Sequence, residues 1–140
     1  MNRVVHFEVH AKDMEKMLKF YQDVFGWNIT DAGADYGGYR MIATGPGPDD
    51  MAKGVKMEDV GINGGMTPRV GDLPKPTDAV NAFVCIIGVE NIDATIEKLK
   101  AAGATEAFAK MEVPHVGMLA YYRDPEENIF GVLQPGGMNQ

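Results

Sequence analysis

A shift of 78 residues lays Asp13 on Asn91, Met14 on Ile92 and Leu18 on Ile96. His6 to Gly26 and Val84 to Gly103 therefore read as two copies of one unit: an apolar strand, a capped amphipathic helix and a glycine stop. Asp13 and Asn91 are helix caps because a short side-chain oxygen can accept from an otherwise unpaired N–H of the first turn. Met14, Met17, Leu18, Tyr21, Val24 and Phe25 recur at the three-and-four spacing of a one-sided helix, as do Ile92, Ile96, Leu99 and Ala102. Gly26 and Gly103 supply the left-handed exits. A duplicated strand-helix unit restricts the chain to an α+β fold built from two similar halves.

After each helix the pattern predicts three further strands, so the order is βαβββ twice. In the first copy they fall at Trp27 to Thr30, Tyr39 to Thr44 and Ile62 to Met66. In the second they fall at Thr105 to Lys110, Met118 to Arg123 and Asn128 to Leu133. Gly33, Gly37-Gly38, Pro114 and Asp124-Pro125 punctuate them. With 140 residues, the expectation is one domain from two half-domains that each need the other to cover a sheet face. Module 1 spans about 1–66, a linker about 67–80, module 2 about 81–135, and a flexible tail 136–140. The linker is placed there because Pro68, Pro74 and Pro76 are excluded from a central strand. Gly45 to Gly61 is a long polar connection, read as a mobile loop or a lid.

Composition narrows the partners. A formal net charge of −7 disfavours nucleic acid and anionic membranes, both of which need a basic footprint. No apolar run approaches the roughly 20 residues that span a bilayer. Met1-Asn2-Arg3 leads directly into a strand, which predicts a cytoplasmic protein. The single cysteine, Cys85, excludes an internal disulfide and is read as a structural residue of an apolar strand.

The first strand alternates Val5, Phe7 and Val9 with His6, Glu8 and His10, which places the two imidazoles and the carboxylate on one face. That row can serve as an acid–base pair, offer ligands to a divalent cation, or be a hydrogen-bonded polar row with no chemistry.

Val5-His6-Phe7-Glu8-Val9, Phe20-Tyr21-x-x-Val24-Phe25-Gly26-Trp27, Gly61-Ile62-Asn63-Gly64-Gly65 and Asp124-Pro125-Glu126-x-Asn128-x-Phe130-Gly131 resemble the vicinal oxygen chelate superfamily. That superfamily contains glyoxalase I, bleomycin-resistance proteins and extradiol dioxygenases, and the resemblance is greatest to its glyoxalase-related branch of unknown function. It implies two βαβββ modules forming a curved, incompletely closed eight-stranded mixed sheet with helices outside and a small-molecule cleft. It also implies metal ligands on the first and last strands of the modules. His6 matches the first such position. Val84 falls on its counterpart, and Gly64 or Gly65 and Gly131 fall where carboxylates are usual, so no metal cofactor is expected. Glu8 and His10 join His6 as ligands only in the alternative, metal-dependent reading.

The resemblance and the residues together imply a small-molecule-binding protein, catalytic or not. As an enzyme it would be a lyase, isomerase or dioxygenase, with His6 and Glu8 as catalytic residues; otherwise it would sequester a ligand without turnover. Tyr39, Met66, Arg69, Tyr122, Gly64 and Gly131 are the substrate-binding candidates, with Arg40, Tyr121 and Arg123 as further rim residues whose phase the pattern leaves open. The glycines can open a pocket or bend a strand. His115 and Glu127 stand where related sequences often carry glycine. A homodimer is the expected assembly.

Overall fold

The computed structural model describes residues 2–46, 53–56 and 60–136. Within the long connection, residues 47–52 and 57–59 lie outside the described residues, as do 137–140 of the expected tail. The chain divides into two compact units, Met1–Asp72 and Leu73–Gln140, and among the described residues each carries one four-stranded mixed sheet and one α-helix.

The first unit runs β1 (Phe7–Ala11), α1 (Met14–Phe25), β2 (Asn28–Asp31), a 3-10 turn (Ala34–Tyr36), β3 (Arg40–Ala43) and β4 (Gly64–Pro68). Its sheet order is β1-β4-β3-β2, with β1 and β4 parallel and the other pairs antiparallel. Asp13 caps α1 by accepting from Lys16 N at 3.1 Å, and Gly26 leaves the helix at φ 69°. Met17, Phe20, Tyr21 and Val24 bury one stripe of α1. Trp27 stacks on Tyr21 at 4.9 Å and packs against Phe25 and Phe7, so Trp27 and Phe20 are core residues. The opposing sheet face supplies Ala11, Ile29, Ile42 and Met66, all buried.

The second unit runs β5 (Ile86–Gly88), α2 (Ile92–Ala101), β6 (Thr105–Val113), β7 (Gly117–Arg123) and β8 (Ile129–Pro135), in sheet order β5-β8-β7-β6. Asn91 caps α2 through Ala94 N at 3.1 Å, and Gln134 Oε1 accepts from Ile92 N at 2.9 Å, tying β8 to the helix start. Ile92 and Leu99 face Ala120, Tyr122, Phe130 and Val132 in its core. The two βαβββ repeats are thus present with their predicted caps. Among the described residues their hydrogen bonds form two four-stranded mixed sheets, one to each repeat, in the α+β fold of two modules that the sequence implied.

Three local expectations change. Pro68 belongs to β4, a strand with neighbours on both sides, and not to a linker. Arg69 N donates to Ala11 O on the β1 side, so by alternation the imide of Pro68 faces the β3 side. There the β3 pairing has already ended at Arg40 opposite Met66, and no ladder bond is lost. Cys85 is exposed and precedes β5, although its carbonyl still accepts from Gly131 N at 2.9 Å. Val5 is likewise exposed ahead of β1, because pairing with β4 begins only at Phe7 opposite Gly64.

Candidate functional site

Strand register fixes which side chains share a face. Glu8 pairs with Gly65 and Gly65 with Met41, so these three lie side by side on the face turned away from α1, together with His6, His10 and Thr67. Tyr39 immediately precedes β3 and shares the parity of Met41. Its hydroxyl lies 2.8 Å from His6 Nε2. Burial, the charge of Glu8 and a hydrogen bond to the Glu8 carboxylate, in that order, push the Tyr39 phenol above its ordinary pKa. His10 Nε2 approaches Glu8 Oε1 to 4.0 Å on the same row. The first unit therefore gathers His6, Tyr39, Glu8 and His10 into one polar row.

The glycines hold this arrangement from beneath. A Cβ on Gly65 would collide with the Tyr39 ring and hydroxyl, and one on Gly64 would collide with the Phe7 carbonyl and ring. On the second sheet, a Cβ on Gly131 would press on Ile86 Cγ1 and Tyr121 Cε1 at 3.2 Å. At all three positions the missing side chain makes room for a neighbour of the same unit.

The other candidates separate by parity. Met66 (0% exposed) and Tyr122 (1% exposed) point to the helix-covered faces, so they pack the cores and do not join the polar row. Arg40 also faces α1, where it pairs with Glu15 at 3.3 Å and Asp31 at 3.4 Å. Arg69 Nη2 donates to His10 O at 3.0 Å and so braces the end of β1. Tyr121 and Arg123 share the open parity of the second sheet, with Tyr121 edge-on to Phe108 at 5.8 Å. Tyr122, enclosed by its core, is pushed to a higher pKa first by burial and then by Glu106 and Glu97.

The Asp124 turn is structural. Its carboxylate, 1% exposed, accepts from Glu126 N at 2.9 Å, Asn128 N at 3.0 Å and Asn128 Nδ2 at 2.9 Å. That side chain closes the turn on its own backbone. Glu127 in this turn and His115 before β7 adopt φ of 68° and 66°, the left-handed region that glycine occupies at least cost.

In the sequence, Tyr39 is one of several substrate-binding candidates, with nothing to set it apart from the others. The signal that singles it out is the pairing of Glu8 with Gly65, which appears only once β1 and β4 are in register. Among the described residues, no group of three or more His, Cys, Asp or Glu side chains converges as a metal site would require.

Comparison with known proteins places this geometry in context. A glyoxylase-like domain-containing protein of Didymella fabae is 27% identical over 132 residues, covering 92% of this chain and 91% of that protein. Two solved structures share the fold at lower identity. TnmS3, an antibiotic-binding protein from Streptomyces sp. CB03234, is 19% identical with a TM-score of 0.65, covering 97% of this chain and 98% of that one. The fosfomycin resistance protein FosX from Listeria monocytogenes, complexed with Mn(II) and 1S,2S-dihydroxypropylphosphonic acid, is 15% identical with a TM-score of 0.68, covering 97% and 92%. The family description Glyoxalase/Bleomycin resistance protein/Dioxygenase superfamily matches residues 3–132. With its duplicated βαβββ units and this match over nearly its whole length, the chain belongs to the glyoxalase/bleomycin resistance protein/dioxygenase superfamily.

Proposed function

We propose that this protein binds a small molecule at the polar row of its first unit, with His6, Glu8 and Tyr39 as the contacting groups. The supporting observation is the 2.8 Å contact between His6 Nε2 and Tyr39 Oη, held over Gly65 and adjoining Glu8. An imidazole and a phenol in contact, on the same face as a carboxylate, suit acid–base work, since each can hold or pass a proton. The reaction type follows from that chemistry: a proton-transfer step on the ligand, with His6 and Glu8 as the reacting groups.

The superfamily's metal does not fit these residues. His6 is engaged by Tyr39, and the Tyr39 ring fills the space where a longer side chain at position 65 would project. Val84 and Gly131 have no donor atom to offer. No step is therefore routed through an ion. A second reading, ligand sequestration without turnover, is favoured by the fold shared with the antibiotic-binding TnmS3.

Thermal-shift screening with and without Ni²⁺, Zn²⁺ or Mn²⁺ tests the proposal. Ligand stabilisation independent of added metal and abolished in His6→Ala supports it. Stoichiometric tight metal binding that is lost in His6→Ala overturns the metal-independent part. Product formation from a stabilising ligand excludes pure sequestration.

A further inference from the structure

We propose that the open face of the second sheet binds aromatic monocarboxylates, with the ring on Tyr121, Phe108 and Ile86 and the carboxylate on Arg123. The inference concerns the second unit alone and does not rest on the reading of the polar row.

Matching positions in the two repeats carry opposite chemistry. In the first sheet Glu8, Gly65 and Met41 lie side by side across β1, β4 and β3. In the second, Ile86, Gly131 and Tyr121 take the same three places across β5, β8 and β7, and Phe108 extends the row on β6. Ile86 Cγ1 and Tyr121 Cε1 each come within 3.2 Å of where a Gly131 Cβ would stand, so the two side chains close over the glycine. The Phe108 ring meets Tyr121 edge-on at 5.8 Å. This row is continuous and apolar, and it is uncovered: Phe108 is 56% exposed and Ile86 48%.

Charge decides what can lie on it. Arg123 stands two residues beyond Tyr121 on β7 and therefore on the same face, half-buried between Thr105 and Ile129. Among the described residues no ion pair or side-chain hydrogen bond engages its guanidinium. None of the residues that the pairings place on this face is acidic, because Glu106 pairs with Tyr122 and Glu112 with Met118 on the other side of the sheet. In a chain with 20 Asp and Glu against 13 Lys and Arg, this face holds one cation and no carboxylate.

A planar guanidinium matches a carboxylate through two parallel N–H···O bonds. One guanidinium balances one negative charge, which favours a monoanion over a phosphate dianion in a chain of net charge −7. The rings and Ile86 supply the apolar wall, so surface and charge together fit an aryl group carrying a single carboxylate.

The experiment titrates the ¹⁵N-labelled full chain with phenylacetate, benzyl alcohol, benzylamine and acetate, and reads the amide signals of Tyr121, Arg123 and Gly131. Phenylacetate should bind at least about tenfold more tightly than each of the other three, the margin of a hydrogen bond to a charged group. Arg123→Gln should abolish its advantage over benzyl alcohol, and Phe108→Ala should weaken both. Benzyl alcohol, benzylamine or acetate binding as tightly as phenylacetate in wild type overturns the proposal, as does an undiminished advantage in Arg123→Gln or no shift with phenylacetate. Signals on this face that move with protein concentration in the absence of any probe overturn it too, because a second copy of the chain is then the occupant. The wild-type series decides the ligand class even where a variant does not fold.

Discussion

The hydroxyl of Tyr39 lies where a Cβ on Gly65 would be. Position 65 is therefore glycine because of a residue 26 places earlier in the chain, and the two form one unit with His6 and Glu8 around them.

Gly65→Ala should destabilise the protein by about 2 kcal/mol or more, the usual cost of forcing atoms into filled space. Urea unfolding measures this. In a Tyr39→Ala background the same change should cost at least about 1 kcal/mol less, because residues in contact give non-additive effects. Equal costs in both backgrounds would mean that the two residues do not interlock.

Asp124→Ala should cost about 2–4 kcal/mol, since the buried Glu126 N–H, the half-buried Asn128 N–H and the Asn128 amide lose their acceptor together. Asp124→Asn keeps an oxygen and should cost less. A midpoint of unfolding unchanged in Asp124→Ala would remove the turn from the account of stability.

Glu127→Gly and His115→Gly should each stabilise by about 0.5–1 kcal/mol, because both side chains now occupy left-handed backbone. Glu127 Oε2 is also buried without a hydrogen-bond partner, so its removal adds to the gain. Thermal melting checks both, and a lower melting temperature for Glu127→Gly would show that its side chain contributes more than its backbone costs.

Tyr39 and Tyr122 both have phenols raised above the ordinary value, chiefly by burial. A group whose folded pKa is raised contributes stability that is intact below its unfolded pKa and is lost as pH rises through the folded one. Stability should therefore fall above about pH 10, the unfolded tyrosine value. Tyr122→Phe should lose less stability than wild type between about pH 9 and about pH 11. Urea midpoints across that range test this, and parallel curves would contradict it.

The Cys85 thiol is exposed yet pushed up in pKa by partial burial. Iodoacetamide should accordingly alkylate it more slowly than a free-cysteine peptide at about pH 8, because the thiolate is the nucleophile. Faster alkylation than the peptide would show an activated thiol.

Much of the fold was legible in the chain because its signals are local. Asp13 and Asn91 announce their helices by capping chemistry, the stripe of Met17, Tyr21 and Val24 by its period, and His6, Glu8 and His10 by alternation. Asp124-Pro125 likewise marks a turn from its own few residues, and the left-handed sites at His115 and Glu127 fall where the resemblance implied glycine. Each of these features is settled within a few residues, where short-range sterics and hydrogen bonding decide.

Tertiary structure decided what depends on residues far apart. Pairing of β1 with β4 set Glu8 beside Gly65, and the approach of β3 then laid Tyr39 over that glycine and onto His6. The same pairings turned Met66 and Tyr122 into core and left Tyr121 on the open parity, because a one-residue change of strand phase moves a side chain to the opposite face. No local pattern encodes that phase; it follows from which strands pair, and in what register, once the helices have claimed their faces.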